Sequence, residues 1–344
     1  MKLFSFFNQE LAIDLGTANT LIIQDGEVVV DEPSIVAVNR KSGEVIAVGH
    51  KAMQMHEKTH EDIKTIRPLK DGVIADFQAA EKMIEGMINM VGKRRRFFSH
   101  LKMVICIPSG ITEVEKRAVF DSADHVDSKE TYLIYEPMAA ALGIGLNVEE
   151  PIGNMIIDIG GGTTEIAVIA LSGIVCDQSI RTAGDEFTAD IVSYMKRQHN
   201  ILIGERAAGQ KKINGGSALR ELENPPADYP VNGRDLMTGI PKQITISYQE
   251  VAHSLDKSIS KVEDAILKAL ETTPPELASD IYKTGLYLTG GGALLKGLDK
   301  RVAAKTKLKV HIAEDPLRAV VRGTGIALSD IDRFMPILID RRSV

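Results

Sequence analysis

The sequence predicts an α/β fold made of two related halves. Three observations carry this expectation. Strand-like and helix-like stretches alternate along the chain, the pattern of mixed α/β architecture. The pattern Asp-[Leu/Ile]-Gly-x-x-x-Thr occurs at Asp14 and again at Asp158, 144 residues later, a spacing that suits two similar halves and not a solenoid. The chain has 344 residues, enough for two cores.

The elements follow in order. Leu11-Ala12-Ile13 leads into Asp14-Leu15-Gly16-Thr17-Ala18-Asn19-Thr20, and Leu21-Ile22-Ile23 follows. Asp25-Gly26 then separates this run from Val28-Val29-Val30, which marks a hairpin. Met103 to Ile107 reads as a buried strand ending at Pro108-Ser109-Gly110, before a helix from Glu113 to Ala123. Leu133-Ile134-Tyr135 reads as a strand, and Pro137 begins an alanine-rich helix, its favoured first position. In the second half Met155-Ile156-Ile157 leads into Asp158-Ile159-Gly160-Gly161-Gly162-Thr163-Thr164. Glu165 to Leu171 is then a strand, Ser172-Gly173 a turn and Ile174 to Cys176 a strand. Leu286-Tyr287-Leu288 is a further strand, ending in Thr289-Gly290-Gly291-Gly292 and preceding a helix from Ala293 to Lys305. Two more polar, irregular stretches, about 35–72 and about 185–245, read as inserted subdomains. Duplicated halves of this kind are expected to face each other across a cleft lined by the glycine turns.

Composition excludes several classes. Apolar residues make up 44% and charged residues 26%, which rules out a disordered or fibrous chain. A net charge of −6 argues against bulk nucleic-acid binding, so no nucleic-acid partner is expected. Cys106 and Cys176 form no CxxC site and no disulfide framework, which points to a reducing compartment. No run of about 18 apolar residues and no secretory leader is evident.

The chemistry concentrates at the strand ends. Asp14 and Asp158 each close an apolar strand and open a glycine turn. Such turns bring backbone N–H groups up to phosphate oxygens, and an adjacent aspartate can hold Mg²⁺ through water. Neither turn is a P-loop, and neither opens a helix as a dinucleotide fingerprint does. Gly290 to Gly292 is either a third nucleotide contact or a tight strand–helix turn. Glu136, at a strand–helix junction, has two readings that spacing does not separate: a carboxylate that orients an attacking water, or an acid that complements the helix dipole.

These segments together resemble the phosphate, connecting and adenosine motifs of the actin–chaperone–sugar-kinase superfamily. Within it the chain is similar to the MreB family of bacterial actin homologues. The distinguishing phrases are Arg67 to Asp76, Val114-Glu115-Lys116-Arg117-Ala118 and Thr273 to Leu277. The resemblance spans essentially the whole chain. It implies duplicated ribonuclease-H-like (actin-like ATPase) domains around a nucleotide cleft: residues 1–150, with 316–344 returning to them, and residues 151–315. It implies ATP with Mg²⁺, slow hydrolysis and assembly into filaments, with paired protofilaments, on the inner face of the cytoplasmic membrane. Asp14 and Asp158 would bind the metal through water. Gly16, Thr17, Ala18 and Asn19, with Gly160, Gly161 and Gly162, would contact phosphates. Glu136 would polarise the water with help from Thr163, and Asp158 joins them in the catalytic set. Gly290, Gly291 and Gly292 would lie against the nucleotide, Gly184 near its sugar and Lys212 at the family's basic position. RodZ and cell-wall elongation proteins are partners implied in the same way.

Five of the nine Phe fall in two short segments. Leu3, Phe4, Phe6 and Phe7 make an apolar start, and Lys93-Arg94-Arg95-Arg96 precedes Phe97 and Phe98. Taken singly, these are a terminal strand edge and a solvated basic loop. Taken together they suit a membrane surface, with basic residues drawn to anionic headgroups and Phe leaving water. The helix from Glu113 to Ala123, with Val114, Ala118 and Phe120, suits either a face between protofilaments or ordinary core packing.

Two other classes remain in view. A small-molecule kinase of the same superfamily would need a sugar-binding constellation, which is not evident. A chaperone nucleotide domain would carry a peptide-binding domain beyond Arg322-Gly323-Thr324-Gly325, and the sequence given stops at Val344.

One departure from the family pattern is informative. Where the family has Gly-Glu-Arg-Thr-Ala-Glu-x-x-Lys, this chain has Gly204-Glu205-Arg206-Ala207-Ala208-Gly209-Gln210-Lys211-Lys212. Gly209 removes the carboxylate expected near the ribose, so looser nucleotide binding is expected on that side. Nucleotide titration of Gly209→Glu against wild type should show tighter binding; equal affinity would sink the idea.

Overall fold

The computed structural model describes residues 8–56, 58, 60–91 and 100–343. Leu3, Phe4, Phe6, Phe7, Phe97 and Phe98 lie outside them. The chain divides into two compact units: Met1–Pro151 with Ile169–Ile174 and Leu317–Val344, and Ile152–Val168 with Val175–Pro316.

In chain order the first unit contains β1 (Asn8–Leu15), β2 (Asn19–Gln24), β3 (Glu27–Pro33), β4 (Val36–Asn39), β5 (Val45–Val48), α1 (His50–Met55), β6 (Ile63–Ile66), β7 (Leu69–Lys70), β8 (Val73–Ile74), α2 (Phe77–Met90), β9 (His100–Ile107), α3 (Glu113–His125), β10 (Ser128–Tyr135) and α4 (Glu136–Gly143). Then come β11 (Asn154–Ile159), β12 (Thr164–Ala170), β13 (Gly173–Ile180), α5 (Gly184–His199), β14 (Ile201–Leu202), α6 (Glu205–Gly215), β15 (Tyr229–Asp235), β16 (Pro241–Ile246), α7 (Tyr248–Thr272), α8 (Pro275–Thr284), β17 (Leu286–Thr289), α9 (Leu298–Thr306) and β18 (Val310–Ile312). The chain closes with α10 (Ala319–Ser329), α11 (Ile331–Phe334) and β19 (Ile339–Asp340).

The main sheet of the first unit has the order β19-β10-β9-β1-β2-β3. β1, β9 and β10 run parallel, and β1–β2–β3 is an antiparallel meander. Alternation along β1 sends Leu11 and Ile13 into a core with Met83 and Met87 of α2 and Phe120 of α3. α10 covers the other face, where Gly325 meets Ala12 and Ile23. A smaller sheet, β5-β4-β6, carries α1 over its own cluster of Ile35, Ala37, Ala47 and Ala52. α3 starts on a capping box in which Thr112 and Glu115 satisfy each other's backbone N–H.

The sheet of the second unit has the order β13-β12-β11-β17-β18, and β11, β17 and β18 are parallel. β11 and β12 are buried along their whole length, and each carries an unbroken apolar stretch, Met155–Ile157 and Ile166–Ala170. α5 and α7 pack on them through Phe187, Ile191, Val251, Leu255, Ile259 and Ile266. The second small sheet, β14-β15-β16, lies in the stretch that also holds α6.

Three local expectations are corrected. The Asp25-Gly26 hairpin forms with both residues at positive φ, but the β12–β13 turn is Leu171-Ser172, with Gly173 already in the strand. The chain therefore takes left-handed φ at two non-glycine residues, and no Asn-Gly or Asp-Gly pair announces that turn. The helix expected from Ala293 is a short 3₁₀ turn, Gly291–Leu294, and the α-helix starts only at Leu298. Gly290 and Gly297, both at positive φ, bracket the break. On α3, Phe120 is 2% exposed and belongs to the core, whereas Val114 is 73% exposed. Phe120 therefore forms no part of an outer face.

α4 and α10 cross at backbone contact. A Cβ on Gly143 would overlap the Ala319 carbonyl, and one on Gly323 would overlap the Ala139 carbonyl. Gly209, mid-way along α6, faces open space. The two kinds of glycine should respond oppositely to alanine. Gly143→Ala and Gly323→Ala should each cost about 2 kcal/mol or more by overpacking. Gly209→Ala should add roughly 0.5–1 kcal/mol through helix propensity. Urea denaturation midpoints read both signs.

Candidate functional site

In the first unit, three parallel strands end side by side. Register places Asp14 of β1 opposite Cys106 of β9, and Cys106 opposite Ile134 of β10. Two residues on, Glu136 is the first residue of α4. The Cys106 thiol donates to Asp14 Oδ1 at 3.1 Å. Burial pushes the Asp14 carboxyl up from 3.8 to about 6, and the thiol hydrogen bond only partly opposes this. Burial also pushes the Cys106 thiol well up, helped by the negative charges of Asp14 and Glu136. Asp14, Cys106 and Glu136 thus share one electrostatic neighbourhood.

The turn after Asp14 is braced from behind. A Cβ on Gly16 would come within 2.6 Å of the Asn19 carbonyl, so the tight turn requires glycine. Ser34 Oγ donates to Gly16 O at 2.6 Å and shares a 2.9 Å hydrogen bond with Thr20 Oγ1. Ser34 N donates to Ala18 O at 2.9 Å. Thr17 is buried, and its hydroxyl accepts the Gly72 N–H at 3.1 Å. Ala18 and Asn19 are exposed, and Asn19 Nδ2 reaches Asp31 Oδ1 at 3.4 Å. Thr17 therefore stiffens the turn while Ala18 and Asn19 present its outer rim.

The second unit repeats the arrangement. Register sets Asp158 of β11 opposite Thr289 of β17, and Thr289 Oγ1 donates to Asp158 Oδ1 at 2.8 Å. Asp158 is 5% exposed. Gly160 N donates to Thr163 O at 2.9 Å, closing the turn. Gly184 N and Asp185 N at the start of α5 donate to Gly160 O and Gly161 O at 3.1 and 2.8 Å, which seats that helix on the turn. Lys212 of α6 donates to Gly184 O at 2.5 Å and to Thr188 Oγ1 at 3.1 Å. A Cβ on Gly290, whose φ is +75°, would sit 2.6 Å from Asp158 Oδ1. A Cβ on Gly292 would overlap Ile159. Gly162 and Thr163 are buried, and Gly291 is exposed.

Within each unit, then, the structure gathers the residues that the sequence singled out. It adds Cys106, Thr289 and Ser34, which sequence reasoning missed. Cys106 and Thr289 lie near the ends of the strands next to the two aspartates, but strand order and register across the sheet are not written in local pattern. Among the described residues, no group of three or more His, Cys, Asp or Glu has metal-ligand spacing. In each unit the available chemistry is oxygen-rich, one strand-end carboxylate beside a glycine turn, which suits a hard cation such as Mg²⁺.

The family model described as MreB/Mbl protein matches residues 8–335. The chain belongs to the MreB/Mbl family. Among MreB/Mbl relatives, cell shape-determining protein Mbl of Bacillus subtilis is 44% identical over 329 residues, 95% of this chain and 98% of that protein. Cell shape-determining protein MreB of Escherichia coli is 45% identical over 341 residues, 96% of each. MreB5 of Spiroplasma citri bound to AMPPNP has a TM-score of 0.89 at 38% identity, covering 95% of this chain and 98% of that one. Its ADP-bound form reaches 0.90 at 38% identity, with coverage of 96% and 99%. A MamK double helical filament, at 20% identity, 0.77 and coverage of 92% and 97%, shares the fold. The fold of this MreB/Mbl chain is that of the actin-like proteins.

The raised Asp14 carboxyl makes a pH-dependent prediction. A folded-state pKa of about 6 against 3.8 means that the folded chain binds the extra proton between those values. Stability from this group is therefore full below about 4 and is lost as pH rises through about 6. Asp14→Asn carries no charge and should melt higher than wild type at pH 7.5, with the gap closing toward pH 5. A gap that does not change with pH would refute the burial argument.

Proposed function

We propose that this chain is an actin-like cytoskeletal ATPase. It binds ATP with Mg²⁺, hydrolyses it slowly, and polymerises into membrane-associated filaments that direct wall synthesis and rod shape. The observation that carries the proposal is the matched pair of aspartate–glycine turns, each at the carboxyl end of a parallel strand, in a chain 38% identical to a protein crystallised with AMPPNP and with ADP. The relatives named for cell shape, at 44% and 45% identity, support the cellular role.

Asp14 and Asp158 would hold the metal through water, and Mg²⁺ when bound supplies charge neutralisation for the transferred phosphoryl group. Gly16, Thr17, Ala18 and Asn19, with Gly160, Gly161 and Gly162, would contact phosphate oxygens. Glu136 orients the attacking water, assisted by Thr163. Gly290 to Gly292 admit the nucleotide to the backbone. Gly184 lies at the sugar, with Lys212 holding its carbonyl. The inserted stretches near 35–72 and 185–245 are the small subdomains of the two halves.

Leu3, Phe4, Phe6, Phe7, Phe97 and Phe98 form the membrane contact on the cytoplasmic face. Each Phe leaving water contributes ~1.5–3 kcal/mol, and each basic residue near anionic lipid ~1 kcal/mol. One subunit binds weakly, but a filament aligns many such contacts. RodZ and the wall-elongation proteins are the proposed partners.

Pelleting with ATP, with and without anionic vesicles, tests the proposal. Filaments should sediment in both conditions and should carry vesicles with them. Removal of residues 1–7 with Phe97→Ser and Phe98→Ser should abolish vesicle co-sedimentation and leave the filaments. Glu136→Gln should keep nucleotide binding and lose phosphate release about 100-fold or more. A strictly monomeric protein that phosphorylates a small molecule would overturn the proposal.

A further inference from the structure

The phrase Val114-Glu115-Lys116-Arg117-Ala118 lies in α3 and places a lysine where lysines seldom sit. Lys116 is 8% exposed. A buried ammonium needs partners. Its Nζ donates to Glu113 Oε1 at 2.7 Å, one turn back on the same helix. It also lies over the Tyr135 ring, 5.6 Å from its centroid, at cation–π range. Burial alone would lower its proton affinity; the Glu113 carboxylate and the Tyr135 phenol more than reverse this, so the side chain stays charged.

Tyr135 is the last residue of β10 and the residue on which α4 begins, directly before Glu136. No side chain caps the start of α4. Besides the pairing of Tyr135 with Ile107 of β9, α3 touches the junction through the tyrosine ring. We propose that Lys116 is a positioning residue: by clamping Tyr135 it fixes the strand–helix junction that presents Glu136. The inference rests on the reading of Glu136 as the group that orients the attacking water. Neither Lys116 nor Tyr135 touches nucleotide in this account. Their loss therefore misplaces Glu136 without removing a ligand contact, and an error of about 1 Å in such a group costs up to ~100-fold in rate.

ATP hydrolysis and nucleotide affinity of the full chain, measured for Lys116→Met, Lys116→Arg, Tyr135→Leu, Tyr135→Phe and Glu136→Gln, test this. Lys116→Met and Tyr135→Leu should lower kcat roughly 10- to 100-fold with nucleotide Kd within about twofold of wild type. Lys116→Arg, which restores a cation, and Tyr135→Phe, which keeps the ring face, should retain most of the rate. Tyr135→Leu combined with Glu136→Gln should be no slower than Glu136→Gln alone, because both act on the same step. Tyr135→Leu carries the test should Lys116→Met fail to fold. Wild-type rates in Tyr135→Leu and Lys116→Met beside an inactive Glu136→Gln would overturn the clamp and leave the role of Glu136 standing. A parallel loss of rate and affinity would mark a merely structural pair and also overturn it. Wild-type hydrolysis by Glu136→Gln would remove the role of Glu136, and the clamp with it.

Discussion

Two carbonyls leave no room for side chains where α4 crosses α10. The Ala319 carbonyl sits against Gly143, and the Ala139 carbonyl against Gly323. This contact fixes how closely α4 lies on α10, and α10 in turn covers the Ala12 face of the central sheet. Glu136 is the first residue of α4, so the same contact bears on where that carboxylate stands. Interiors are packed too densely to absorb an added methyl by drift. A change at Gly323, far along the sequence, therefore acts on the site through the helix that begins with Glu136.

The same logic of close approach governs the glycine turns. Gly16 closes on the Asn19 carbonyl, Gly290 on Asp158 and Gly292 on Ile159. None of these glycines is there for flexibility. Each lets one backbone segment come nearer to another than a Cβ permits, and the aspartates are thereby held at defined depth. Thr289 and Cys106, one strand over in each sheet, supply the hydrogen bonds that hold the two carboxylates.

Much of this was legible in the sequence because it is written locally. The repeated Asp-x-Gly turn, the Asp25-Gly26 hairpin and the Glu136-Pro137 junction each signal themselves within a few residues. What could not be read depends on partners distant in sequence. The thiol of Cys106 meets Asp14 only because β9 pairs with β1 in one register. Phe120 reads equally well as core or as surface until the face of α3 against the sheet is known. The Leu171-Ser172 turn takes left-handed backbone without the residues that usually announce it. The false start of the helix at Ala293 has the opposite cause. Its composition suits a helix, but Gly290 and Gly297 hold conformations that interrupt it.

The strand end of the first unit also holds a carboxyl group whose charged form burial disfavours. Asp14 is a carboxylate that burial makes reluctant to ionise, met in the first unit by a thiol, a weak donor. Arg301, by contrast, donates to Glu263, Asp256, Ser260 and the Ala218 carbonyl. The contrast is local, and it has a thermodynamic consequence. A cation that neutralises Asp14 removes a penalty present only in the folded chain, so its binding strengthens the fold that binds it. On the proposed function, nucleotide with its metal would then be a structural ligand of the first unit as well as a substrate.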